Sequence, residues 1–317
     1  IPACFCGIVG YRSSPGTVPH EDRTIAHTNY SVQGPMARNV ADAGLLLSVI
    51  AERDRDSRKD PMAFPLDSAA FVDPTPTNVE TLRIGVTADF GGLLVSEHVR
   101  REFIRRVEIL QKAGAEIIPL SVDLSDAVGV DWQLRADVFA TQYHREIEDF
   151  DDSFNPNVFR TYETALSTTV LDIAKARRRQ VELFRALDDV FDEVDMLLSP
   201  GVSVPPFPWT ALHPMEIDGK AVDNYMTWLG LTACLTVVGH PVAALPAGLD
   251  RDGMPFGVQC VGPIYEDAAL LQMANGIEAC FDDSKDFSCP RPDFELIKAA
   301  EPRCQELGRA AATAAAK

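Results

Sequence analysis

Apolar positions recur at helical spacing from residue 39 to 50, where Val40, Ala43, Leu46, Leu47 and Ile50 mark one face. The preceding Gln33-Gly34-Pro35-Met36-Ala37-Arg38 sets a turn, so the pattern predicts a loop emptying into a buried helix. Asp42 falls in its first turn, where a carboxylate favours the helix dipole. Charged residues 53–61 and the Pro-rich 73–76 then read as surface loop. Residues 82–86 predict a short strand, and Val99, Phe103, Val107 and Leu110 mark the apolar face of a helix that Gly114 ends. Residues 116–120 are the next strand. Strand, amphipathic helix and strand make a βαβ unit, which calls for parallel strands joined by a right-handed crossover.

From 125 to 194 the pattern is largely helical, with a break at Asn155-Pro156-Asn157. Residues 194–200 form an apolar strand that stops at Pro200. Pro205, Pro206 and Pro208 exclude regular structure in the following loop, and Asp218-Gly219 predicts a tight turn. A buried helix is expected over 224–238, two core strands over 242–246 and 257–261 with Asp252-Gly253 between them, and a last helix over 267–281. The Ala-rich stretch 310–317 predicts a frayed tail. Such alternation predicts a central sheet covered on both faces.

Composition narrows the function classes. With 317 residues, 46% of them hydrophobic, the chain can bury a large core. No apolar run reaches bilayer length. A formal charge of −18 repels phosphate backbones, and the densest basic cluster, Lys175 to Arg179, reads as a solvated helix face, so direct nucleic-acid binding is disfavoured. Seven scattered cysteines without a C-x-x-C pair fit reduced thiols in a cytoplasmic protein. The six histidines show no ligand spacing, so no metal site is expected.

The run from Gln33 to Ile50 closely resembles the core of the amidase signature family, serine hydrolases that cleave carboxylic amides. The opening Ile1-Pro2-Ala3-Cys4-Phe5-Cys6-Gly7-Ile8-Val9-Gly10-Tyr11-Arg12 resembles the stretch that directly follows the family's Gly-Gly-Ser-x-Arg nucleophile motif. Four further blocks, beginning at Arg83, Val194, Gly239 and Gly253, are similar to family blocks and occur in the family's order. The resemblance implies an α/β/α sandwich around a large mixed β-sheet. It implies a single domain over residues 1–301, with 302–317 as a disordered tail.

It also implies hydrolysis of a small-molecule amide, without a cofactor, by a Ser–cis-Ser–Lys arrangement. All three family residues precede the Ile-Pro-Ala segment, so the chain is expected to begin just after the nucleophile and to be inactive by itself. No residue here inherits a catalytic role. Ser13-Ser14 reads as local hydrogen bonding in a turn, and Ser199 lacks a Gly-x-Ser-x-Gly elbow. Met36, Trp228, Thr232 and Gln259 are the candidate substrate contacts, each with plain core packing as its competing explanation. A homodimer is compatible with this reading. Two alternatives stand beside it: the glutamine-hydrolysing A subunit of a tRNA-dependent amidotransferase, and a non-catalytic scaffold that keeps the fold.

Overall fold

The computed structural model describes residues 1–144, 156–222 and 225–299. Seven strands form one sheet: β1 (Val9–Arg12), β2 (Met36–Ala37), β3 (Arg83–Val86), β4 (Glu116–Pro119), β5 (Met196–Pro200), β8 (Val242–Leu249) and β9 (Pro255–Val261). The spatial order is β2-β1-β8-β9-β5-β3-β4. β4, β3 and β5 run parallel, while β5–β9, β9–β8, β8–β1 and β1–β2 are antiparallel, which makes the sheet mixed. A separate hairpin joins β6 (Glu216–Ile217) to β7 (Lys220–Ala221). Its turn is the expected Asp218-Gly219, with φ of 50° and 77°, the positive pair that a two-residue hairpin turn requires.

Nine helices accompany these strands among the described residues: α1 (Pro2–Cys6), α2 (Val40–Ile50), α3 (Glu97–Lys112), α4 (Ala127–Tyr143), α5 (Pro156–Ser167), α6 (Val170–Asp188), α7 (Gly230–Val238), α8 (Asp267–Asp282) and α9 (Phe294–Ala299). Successive strand residues point to opposite faces, and β1 shows that both are covered. A Cβ on Gly10 would meet Ala3 of α1 at 2.7 Å, whereas the next residue, Tyr11, donates its hydroxyl to the Asp267 carbonyl of α8 at 3.1 Å. On the Gly10 side α7 joins α1, and α4 and α6 pack on α7; on the other side α2 and α3 pack against α8. Coverage of both faces explains why β5 and β9 are buried almost throughout and read as continuous apolar runs.

The predicted βαβ unit is β3–α3–β4, and the expected helix after Asn39 is α2, whose Asn39 side chain accepts the Asp42 backbone N–H at 2.7 Å. Three details differ from the pattern. Leu46 is 42% exposed, because the buried stripe of α2 runs through Val40, Ala43, Gly44 and Leu47. Of the helix expected over 224–238, Asn224 lies outside the described residues, Thr227–Leu229 form a 3-10 turn, and the α-helix runs from Gly230 to Val238. Short α1, β1, β2, β6, β7 and α9 carry too little periodicity to have been foreseen. The break expected at Asn155-Pro156 falls partly outside the described residues, with α5 starting at Pro156, and the expected tail 302–317 lies wholly outside them. Among the described residues no helix is long and apolar enough to cross a membrane.

Candidate functional site

Helix α1 starts with Pro2 in its first turn and ends at Gly7, which takes the left-handed conformation at φ 65°. Cys4 drives it onto the sheet. Its side chain sits where Gly201 and Gly257 leave room, and a Cβ on Gly257 would lie 2.7 Å from the Cys4 Sγ. Ile1 and Phe5 are left to face a second apolar cluster, separate from the main core, with Val204, Ile217, Val222 and Trp228 as its buried members. Phe5 stacks on Trp228 at 6.2 Å, and Phe207 and Tyr225 meet Trp228 edge-on at 5.3 and 5.9 Å. Aromatic pairs of this geometry add about 0.5–1.5 kcal/mol each beyond their buried area. The result is an aromatic wall beside the Ile-Pro-Ala segment. The Trp228 Nε1 and the Ser203 hydroxyl are buried without a hydrogen-bond partner among the described residues.

Three of the four candidate contacts share this neighbourhood. Trp228 is 4% exposed and lies one turn before Thr232, whose hydroxyl donates to the Leu229 carbonyl at 2.9 Å. Gln259 is buried, and its Nε2 donates to the Pro200 carbonyl at 3.1 Å, to the Ser199 hydroxyl at 3.3 Å and to the Leu231 carbonyl at 3.4 Å. It thereby staples β9 to the end of β5 and to α7. Met36 stands apart: it is 47% exposed on edge strand β2, with β1 and β8 between it and β9. Phe5, Phe207 and Tyr225 belong to the wall but were missed by sequence reasoning. Phe5 hides in an apolar pentapeptide and Phe207 in a Pro-rich loop, so neither has a periodic neighbour to announce it.

The serines are structural. Ser13 and Ser14 are fully buried; Ser13 donates its hydroxyl to the Gln33 carbonyl at 3.1 Å, and the Ser14 hydroxyl accepts the Tyr265 N–H at 2.9 Å. Their partners are therefore distant in sequence, which corrects the expectation of local bonding. The Ser14 backbone N–H also donates to Asp267 Oδ1 at 2.9 Å. Burial pushes the Asp267 carboxyl above its usual range against the pull of these bonds, and burial together with the Asp267 charge raises the Tyr11 phenol. Ser31 Oγ lies 3.3 Å from His20 Nδ1. Asp60 does not turn this pair into a triad, because its oxygens accept the His20 backbone N–H, the Arg23 guanidinium and the Met62 N–H. His240 is fully buried between Phe184 and Phe191, with ring centroids 4.9 and 5.6 Å away, and burial lowers its pKa.

Residues 1–271 match the Amidase family model. The A subunit of the glutamyl-tRNA(Gln) amidotransferase from Prochlorococcus marinus is 28% identical, over 93% of this chain and 64% of its own length. An acylamidase of Rhodococcus erythropolis is 23% identical, over 88% of this chain and 58% of its own. A crystal structure of an amidase superposes with a TM-score of 0.73 at 27% identity, covering 88% of this chain and 59% of that one. A bacterial aryl acylamidase of the amidase signature enzymes superposes with a TM-score of 0.76 at 23% identity, covering 92% and 62%. The chain thus spans about three fifths of the length of these relatives. With its mixed sheet, its two helical layers and a family match over most of its residues, the chain belongs to the amidase signature family.

Proposed function

We propose that the protein is a carboxylic amide hydrolase acting through a serine nucleophile, that this chain supplies the wall of the substrate site, and that the catalytic Ser-Ser-Lys set lies outside these 317 residues. The observation that carries the reading is the placement of α1. The Ile-Pro-Ala segment, which resembles the stretch after the family's nucleophile motif, abuts Phe207, Tyr225 and Trp228, so a nucleophile joined ahead of Ile1 faces an apolar wall suited to an acyl or aryl group. Trp228 and Thr232 sit at that wall in this reading, Gln259 positions α7 behind it, and Met36, away from the wall on the edge strand, drops out as a substrate contact. Neither Gly-Gly-Ser-x-Arg nor a Gly-Ser-Ser segment occurs in the sequence.

The test is a fluorophosphonate probe applied to the purified chain, alongside assays with aryl and aliphatic amides. No adduct and no turnover are expected. Activity should appear when the chain is produced from a longer reading frame that supplies the full Ser-Ser-Lys set, with Gly-Gly-Ser-x-Arg directly before Ile1. An adduct on Ser31 or any other serine of this chain overturns the reading, and an inactive longer form supports the scaffold instead.

The 28% identity to the A subunit of an amidotransferase favours a second reading, in which the same site hydrolyses glutamine and hands ammonia to partner subunits. Ammonia release from glutamine that depends on added partner subunits separates it from the stand-alone amidase. Six described cysteines are free, which supports a reducing, cytoplasmic setting. Exposed Leu45, Leu46 and Val49 on α2 support a homodimer. One domain over residues 1–301 completes the reading.

A further inference from the structure

The geometry points to a binding site for a divalent transition-metal ion, formed by His98, Asp250 and Asp252 at the junction of α3 with the β8–β9 turn. One donor atom from each of the three lies within 4.8 Å of the others. His98 is held in the first turn of α3, because the Ser96 hydroxyl accepts the Val99 N–H at 3.2 Å and fixes the helix start. Asp250 is built into the turn. Its Oδ1 accepts the backbone N–H groups of Asp252 at 2.9 Å and Met254 at 2.8 Å. That leaves Oδ2 for His98, whose Nε2 is 2.9 Å away. The Asp250 side chain is only 1% exposed, so a carboxylate fixed in orientation faces an imidazole with little water between them.

Asp252 completes the set from the tip of the same turn, with its Oδ2 3.8 Å from His98 Nδ1 and its side chain 77% exposed. Zinc bonds to nitrogen and oxygen are about 2.0–2.2 Å, which puts tetrahedral ligands about 3.3 Å apart. One ion takes one ring nitrogen, so closing that triangle needs the exposed Asp252 to swing from the Nδ1 edge toward Nε2 and the 2.9 Å His98–Asp250 contact to open slightly. One imidazole and two carboxylates suit zinc, cobalt or nickel, whereas calcium takes an all-oxygen cage of about six to eight ligands. The neighbouring cations are otherwise engaged: Arg251 lies 3.5 Å from Glu102, and Arg106 is bound to Glu102 and to the carbonyls of Ala247 and Leu249. The site gathers two carboxylates on a chain that carries −18 in all.

The ion has a route to the aromatic wall. At the same helix end the Ser96 N–H donates to the Ser203 carbonyl at 2.9 Å, and the Glu97 N–H donates to Asp218 Oδ2 at 2.7 Å. A metal on His98 pins the helix start that supports the β6–β7 hairpin and the Ser203–Val204 segment, and its role is structural. The inference stands whether or not the amidase reading holds.

The test is metal-stripped, full-length chain titrated with zinc chloride by calorimetry at neutral pH, with cobalt as a spectroscopic stand-in. One equivalent of zinc should bind and raise the melting temperature, and cobalt should develop the visible bands of a tetrahedral site. His98→Gln and Asp252→Asn, both surface changes checked by circular dichroism, should each weaken binding by more than about tenfold. Absence of stoichiometric binding, or equal affinity in the wild type and both variants, overturns the site and leaves a His–Asp ion pair.

Discussion

At the residue scale, two buried titratable groups pull stability in opposite directions with pH. Glu278 accepts the Val40 N–H at 2.9 Å, yet its carboxyl is pushed up to about 7, first by burial and then by the charges of Asp282 and Asp42. Its folded pKa lies above its unfolded value of about 4.3, so its contribution is fully present below the lower figure and is lost as pH rises through 7. Glu278→Gln keeps an acceptor for Val40 and removes the charge, and the variant should gain about 1–2 kcal/mol at pH 8 after allowance for solvent screening. Urea melts at pH 5 and pH 8 measure this; a variant no more stable than wild type at the higher pH refutes the assignment. His240 behaves the other way. Its pKa is lowered by burial and only partly restored by Asp188 at 3.5 Å, so its stabilisation is complete above about pH 6.5 and fades as pH falls below it. His240→Phe should flatten the acid limb of the melting curve, while an unchanged limb would move the acid sensitivity elsewhere. Neither effect was legible in the sequence, where Glu278 and His240 look like ordinary residues. Their burial depends on α2 and α6 arriving from far along the chain.

At the scale of elements, α3 shows what periodicity reveals and what it hides. Val99, Phe103 and Leu110 were legible as its apolar face and are buried. Arg106 and Glu102 sit at positions that a hydropathy pattern assigns to solvent, yet both are buried, and Arg106 is fully enclosed. The guanidinium lies between the rings of Phe256 and Phe287, 4.4 and 4.1 Å from their centroids, and bonds to the carbonyls of Ala247 and Leu249. It therefore bolts α3 to β8 and to the segment after α8. Arg106→Met leaves Glu102 buried with only Arg105 and Arg251 at its edge, and the expected cost is about 3–5 kcal/mol. Combining it with Glu102→Leu should recover part of that loss, because the uncompensated charge goes with it. A double variant as unstable as the single one would show that the cation–aromatic contacts, not the ion pair, carry the bolt. The wall of the site was hidden for a similar reason. Trp228 and Thr232 could be placed by resemblance, but Phe5 and Phe207 become neighbours only when Cys4 seats α1 over Gly201 and Gly257.

At the scale of the whole molecule, alternating strands and helices made the α/β class legible. The Asp252-Gly253 connection between two core strands and the resemblance made a mixed sheet legible, but the full strand order was not, because no local signal sets β9 beside β5. The same view exposes what the chain leaves uncovered. β2 forms one sheet edge with only two residues, and Leu45, Leu46 and Val49 on the adjoining α2 are 54%, 42% and 61% exposed. A contiguous apolar helix face of this kind drives association. Against it stands a charge of −18, including Glu21, Glu52, Asp54 and Asp56 around the cavity of about 330 Å³ that Val49 also lines. Repulsion between copies is long-ranged at low salt and is screened within about 8 Å at physiological ionic strength, whereas apolar burial is not weakened by salt. The two forces therefore cross as salt is added. The chain should sediment as a monomer in dilute buffer and associate as sodium chloride rises, and Leu45→Glu with Val49→Lys should hold it monomeric throughout. Association that is strongest at low salt, or that persists in the double variant, would place the contact on charged surface or on the β2 edge instead of on α2.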